Sequence, residues 1–227
     1  MRALRFARLC IRGSLAALAL AAGCVVLLAA APAGAQTTQP AQSSSDNSAK
    51  SAWSATLSAF AHALLESPSS SAIEPFLCED AAIRRFNDTR RQTIAAVRDR
   101  ACGATIITMR AYAGAPATLA SDLGADLRES GLPDDVKRRF IPGDERDTRR
   151  ANEIAAKWVQ TALNITGAEP TGVIVLWPRE EADPPESDST VADRRRLLFI
   201  LVKAELGDGH YRIRQISYGD PVAASGG

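Results

Sequence analysis

Leu197–Gly219 reads LLFILVKAELGDGHYRIRQISYG, and the fold turns on it. Leu197 to Val202 is apolar at every position, so both faces of that strand are expected to be buried and the strand to be central in a sheet. Leu206-Gly207-Asp208-Gly209 predicts a hairpin turn, with glycine supplying positive φ on either side of Asp208. In the next strand, His210 to Tyr218, Tyr211 and Ile213 share one face, whereas strict alternation puts Ile216 and Tyr218 on the other. A β-bulge near Arg214-Gln215 would return them to one phase. Upstream, Gly172 to Trp177 has the same strand composition. The three runs read as an antiparallel meander, with Pro178 to Arg196, rich in proline and charge, as a long hairpin loop.

The segments before the meander alternate helix with short strand. Trp53, Leu57, Phe60 and Leu64 fall on one helical stripe within Ala52 to Glu66, with Ser51 available as the cap. After Pro68, Ile73, Phe76 and Leu77 predict a short second turn of helix, and Ala81 to Phe86 a brief strand. Asn87 or Asp88 would cap a helix running through Arg100, with Ile94, Val97 and Ala101 inward and Gly103 ending it. Ala104 to Tyr112 is β-branched and bounded by glycines, which predicts a strand. Leu119, Leu123 and Leu127 mark a helix that Gly131-Leu132-Pro133 ends. A longer helix is expected from Glu145 to Ile165, with Ile154, Trp158, Ala162 and Ile165 inward. No internal repeat is visible.

The start of the chain is of another kind. Arg2, Arg5, Arg8 and Arg12 precede an uncharged apolar run, Ser14 to Ala31, and Ala33-Gly34-Ala35 supplies small residues for cleavage before Gln36. Residues 1–35 therefore read as a secretory signal peptide. Two rivals stand beside it: a lipobox-like Ala21-Ala22-Gly23-Cys24, and an uncleaved anchor over residues 14–33. Because the arginines precede the apolar run, each version exports the remainder, to a periplasmic or extracellular location. Residues 36–50, rich in Gln, Ser and Thr, are expected to be a disordered linker, residues 51–222 one domain and residues 223–227 a flexible tail.

Processing changes the arithmetic of the 227 residues. The whole chain carries 27 basic and 26 acidic residues; losing four arginines and no acid leaves 23 against 26, a mature charge near −3. That excludes the basic excess of a nucleic-acid binder. Cys10 and Cys24 leave with the signal, and Cys78 and Cys102 remain in an oxidising compartment, where an even pair predicts a disulfide. Closing a loop of about 25 residues would stabilise the domain by roughly 3 kcal/mol.

The long amphipathic helix, the segment Phe76-Leu77-Cys78-Glu79-Asp80, the short strand to Phe86 and the terminal hairpin together resemble the nuclear transport factor 2-like superfamily, which includes the SnoaL-like domains. The likeness rests on Phe60 to Phe86 and Leu197 to Tyr218. It implies an α+β fold in which a curved antiparallel sheet wraps the N-terminal helix as a cone, with Gly103 to Gly167 as an extra helical insertion. A cystatin-like domain is the alternative fold. Members include isomerases and cyclases, ligand carriers and secretion components, so fold alone assigns no activity.

The chemistry-bearing residues are sparse. His62 stands opposite the apolar stripe and His210 follows a turn glycine, so neither predicts a metal or triad site, and no third histidine occurs. No GxGxxG, Walker loop, GxSxG or CxxC is present, and neither a cofactor nor a metal is expected. The arginine pairs Arg84-Arg85, Arg90-Arg91 and Arg149-Arg150 have acids nearby and read as solvated surface. If the domain were a SnoaL-like acid/base enzyme, the resemblance would place Asp80, Tyr112 or Tyr218 in its pocket. The expectation from the whole is an exported non-catalytic domain that binds a small apolar ligand or an envelope protein partner. The alternatives are that enzyme and an envelope assembly component held at the membrane by an uncleaved or lipidated N-terminus.

Overall fold

The computed structural model describes residues 42–67, 69–86, 88–138, 140–141, 143–178 and 197–220. The signal peptide over residues 1–35, the lipobox and anchor readings, the first part of the linker, most of the loop to Arg196 and the tail over 223–227 lie outside the described residues. The elements run α1 (Gln42–Glu66), two 3₁₀ turns (Ser70–Ala72 and Glu74–Phe76), β1 (Leu77–Arg85), α2 (Ile94–Ala101), β2 (Thr105–Ala113), α3 (Leu119–Glu129), α4 (Asp134–Lys137), α5 (Glu145–Leu163), β3 (Pro170–Trp177), β4 (Leu198–Gly207) and β5 (His210–Gly219). The class is α+β, with a five-stranded open sheet in the order β1-β5-β4-β3-β2. Among the described residues no helix is long and apolar enough to cross a membrane.

The C-terminal meander forms as its sequence predicts. β3, β4 and β5 pair antiparallel in succession, and β4 is the central strand. Lys203 faces Gln215 and Ala204 faces Ile213, so Arg214 is the extra residue of a bulge. That bulge gathers Ile213, Ile216 and Tyr218 into one apolar cluster, with Tyr211 packed against it. The turn differs in detail. Positive φ belongs to Asp208 (50°) and Gly209 (79°), because a two-residue turn between Gly207 and His210 needs it at both central positions.

The sheet is mixed rather than antiparallel, because β1 pairs with β5 in parallel. The sequence fragment Ala81 to Phe86 covers only part of β1, which begins at Leu77; the alternation that marks a half-buried strand is masked there by Cys78, Glu79 and Asp80 at a sheet edge.

Helix boundaries shift where propensity alone set them. α1 begins at Gln42, so Ser51 is inside the helix and part of the expected linker is helical. No glycine or proline lies between Gln42 and Glu66, and a helix already formed on the Trp53–Leu64 stripe propagates at little cost. α2 starts at Ile94, capped by the Thr93 hydroxyl, which accepts the Ala96 N–H at 3.3 Å. Asp88 instead accepts the Arg90 N–H at 2.9 Å, and the intervening residues run extended beside β1; Asn87 lies outside the described residues. In α5 the buried side is Val159 and Leu163, with Ala155, Trp158 and Ala162 beside them, and Ile154 is 60% exposed. Asn164 adopts the left-handed conformation (φ 48°) and breaks the helical phase, so buried Ile165 does not mark the helix's inner face.

The two faces of the sheet hold separate cores. Trp53, Leu57, Phe60 and Leu64 of α1, with Val97 and Ala101 of α2, pack on Ile174, Leu176, Ile200, Val202, Ile213 and Ile216. A Cβ on Gly172 would lie 2.8 Å from both Leu57 methyls, so α1 approaches β3 where only glycine fits. The Trp53 indole N–H also donates to the Thr171 carbonyl at 2.8 Å. On the other face, Leu119, Leu123 and Leu127 of α3 and Val159 and Leu163 of α5 cover Val173, Val175, Phe199 and Leu201.

Candidate functional site

Among the described residues, a connected set of polar side chains lies between β2 and α3. A strand points alternate residues to one side, and Thr108, Arg110 and Tyr112 form such a row on the α3 face. Asp122 and Asp126 stand one turn apart on α3 and meet that row. The Arg110 guanidinium donates from Nε to Asp126 Oδ2 at 3.0 Å and from Nη2 to Oδ1 at 2.6 Å, a two-pronged pair. Thr108 donates its hydroxyl to the same carboxylate. Tyr112 donates to Asp122 Oδ2 at 2.8 Å, as does Thr118, also at 2.8 Å.

The electrostatics follow from these bonds. Burial would raise Asp126, but the hydrogen bonds from Arg110 and Thr108 and the guanidinium charge outweigh it and hold the carboxyl below its ordinary range. Burial, then the bond to Asp122 and its charge, push the Tyr112 phenol well above its ordinary value. At neutral pH Tyr112 is therefore a protonated donor to a carboxylate and Asp126 an ionised acceptor. Neither is poised to exchange a proton near pH 7. The cleft between these side chains does not admit a water-sized sphere. The arrangement fixes α3 on the sheet.

The three residues put forward for acid/base work stand apart. Asp80 is exposed on edge strand β1. Tyr112 belongs to the β2–α3 set, and Tyr218 is 2% exposed within the α1-side core, where burial raises its phenol. Tyr112 and Tyr218 lie on opposite faces of the sheet. His62 and His210 are both exposed, and His62 Nδ1 lies 3.4 Å from Glu66 Oε1. Among the described residues no group of three His, Cys, Asp or Glu side chains is placed to hold a metal ion.

The expected disulfide is absent: Cys78 and Cys102 are free thiols. The Cys78 thiol donates to Glu205 Oε1 at 3.3 Å, whereas Cys102 ends α2, its N–H on the Arg98 carbonyl, and is exposed. Sequence separation and an even count do not bring two Cβ atoms together, and here each cysteine is held by different neighbours. Burial, the bond to Glu205 and that carboxylate's charge push the Cys78 thiol up to about 11, so it stays protonated at neutral pH.

A larger hollow of about 440 Å³ lies open along the first half of α5, against Ala117. Glu145, Arg149, Asn152 and Glu153 line it, and Asn152 also accepts the Ser121 N–H at 3.1 Å. No motif in the sequence singles out Thr108, Arg110, Asp122 or Asp126. Their signal was present as a polar row at every second residue of a strand and two acids four apart beside a leucine stripe. No protein-family model matches the chain, and no curated protein matches it.

Proposed function

We propose that the chain is an exported, non-catalytic α+β domain whose task is to bind, with an envelope protein partner favoured over a small apolar ligand. Export rests on the basic, apolar and small-residue order of residues 1–35. The observation that carries the non-catalytic reading is the separation of Asp80, Tyr112 and Tyr218 into solvent, a satisfied hydrogen-bond set and a filled core. A protein partner is favoured because both sheet faces are packed with side chains, and the hollow on α5 lies open to solvent rather than enclosing a ligand, with Glu145, Arg149 and Glu153 among the residues around it.

In this reading α1, α2 and the sheet face beneath them correspond to the cone of the nuclear transport factor 2-like domains, with its interior filled. Helices α3 to α5, on the other face, are the insertion that departs from that pattern. A cystatin-like arrangement is the alternative. The test is complementation of a deletion strain by a chain carrying Asp80→Asn, Tyr112→Phe and Tyr218→Phe together. Full complementation is expected. Loss of complementation with unchanged circular dichroism and export would sink the non-catalytic reading and favour a SnoaL-like enzyme. Sequencing the N-terminus of fractionated protein tests export: soluble periplasmic or secreted material beginning at Gln36 is expected, and membrane-bound chain retaining residues 14–33 would favour the envelope-assembly alternative.

A further inference from the structure

The two edges of the sheet are built differently. β1, at one edge, carries Glu79, Asp80, Arg84 and Arg85. Its outer side is closed by the chain that follows it: the Gln92 N–H donates to the Ile83 carbonyl at 2.8 Å, Arg84 and Arg91 form an antiparallel bridge, and Arg91 Nη2 reaches the Ala81 carbonyl at 3.3 Å. Charge and a covering strap are two of the devices that keep an edge from pairing.

β2, at the other edge, reads TIITMRAYA over nine residues. It has no proline and no lysine, and its one charge, Arg110, is neutralised by Asp126. Among the described residues no strand or bridge pairs with its outer side. Its one irregularity is a register shift between Ile106 and Thr108; from Thr108 to Ala113 it pairs with β3 without interruption. Such an edge presents a row of main-chain N–H and C=O groups, and what satisfies them is another extended backbone.

We propose that this edge is a homodimer interface, in which β2 of one copy pairs antiparallel with β2 of a second across a two-fold axis and continues the sheet. Charge selects the occupant. An edge whose single charge is already paired offers nothing to an acidic or basic strand and suits one with no unpaired charge, and β2, β-branched from Thr105 to Thr108 and with Arg110 held by Asp126, is itself such a strand. Symmetry is compatible with this. About an axis normal to the sheet, a pairing centred on Met109 sets Arg110 against Thr108 of the second copy, and one centred on Ala111 sets it against Tyr112. Neither brings the two guanidiniums face to face, which is the like-charge arrangement that destabilises a strand pair. The interface depends on neither the export reading nor the binding reading.

The test is sedimentation with hydrogen–deuterium exchange across a concentration series, on protein as the producing cell processes it, in reductant so that exposed Cys102 cannot link copies. A monomer–dimer equilibrium is expected, in which peptides spanning Thr105–Ala113 exchange at least about tenfold more slowly in the dimer while those of Leu77–Arg85 do not change. A chain that stays monomeric overturns the proposal, as does a dimer with unaltered β2 exchange or a monomer whose β2 amides are already protected. Thr105→Lys with Ala113→Lys, at the two exposed ends of the strand, is expected to weaken the dimer at least about tenfold while leaving unchanged the Tm of protein diluted to the monomer. An unweakened dimer would count against it equally.

Discussion

The helical layers on the two faces of the sheet are held by different physics. α1 meets the sheet through Trp53, Leu57, Phe60 and Leu64, all at most 2% exposed, with the Trp53 indole N–H donating to the Thr171 carbonyl. α3 and α5 also bury leucines, yet polar ties surround them. Asp126 and Asp122 bind the β2 row, Gln215 and Ser217 donate to the Ala162 carbonyl at 2.9 and 2.8 Å, and Lys203 meets Glu169 at 2.9 Å just beyond α5. Apolar burial is strong and non-directional, whereas hydrogen bonds are individually modest and fix orientation. The first layer should therefore supply most of the stability, and the second should depend on polar contacts for its position.

The largest effect that could break this contrast is a truncation under α1. Phe60→Ala removes a fully buried ring that also packs edge-on against Phe76 with centroids 6.2 Å apart, and is expected to cost about 3–5 kcal/mol in urea unfolding. A loss of about 1 kcal/mol would mean that α1 is a peripheral layer. Gly172→Ala probes the same contact from the strand side. Its Cβ would meet Leu57 and Val202 methyl groups at 2.8 Å, and overpacking of this kind costs about 1–3 kcal/mol. No loss would show that α1 can lift from the sheet without consequence.

The opposite face should respond to acid. The Asp126 carboxyl is lowered in the folded chain, so the stability it contributes is present above the ordinary carboxylate value of about 4 and is lost as pH falls through its folded value. Glu169 is lowered in the same direction, first by the Thr166 N–H and then by Lys203. Asp126→Asn is expected to flatten the acid limb of a stability–pH curve and to cost about 1 kcal/mol at neutral pH, discounted because Arg110 is 41% exposed. An unchanged acid limb would assign the face's stability to its leucines alone.

The same division explains what the sequence makes legible. Apolar periodicity is a local signal. It placed the Trp53–Leu64 stripe, the Leu119–Leu127 helix, the central position of β4 and the bulge at Arg214, because each rests on side chains that repeat within one element. Partners far apart in sequence leave no local signal. The parallel pairing of β1 with β5, the grip of Asp126 on Arg110 and the free state of Cys78 and Cys102 all depend on which elements become neighbours. Residue type and family pattern point to Asp80, Tyr112 and Tyr218, but the sheet places the two tyrosines on opposite faces.

α5 offers the smallest effect and a check on helical phase. Taking Ile165 as part of the inner stripe rotates the helix so that Ile154 points inward, whereas Ile165 lies beyond the left-handed turn at Asn164, and within the helix Ile154 is 60% exposed and Val159 fully buried. Ile154→Gln removes no packed side chain, so its stability change is expected to stay within about 0.5 kcal/mol of zero. Val159→Ala leaves a small cavity beneath Phe199 and its neighbours and is expected to cost about 1–2 kcal/mol. The two positions are five residues apart on one helix and differ in little but direction. If Ile154→Gln proved the costlier change, the helix would be turned about its axis from the orientation that packs Trp158 against Phe86, and the docking of the second layer would have to be redrawn.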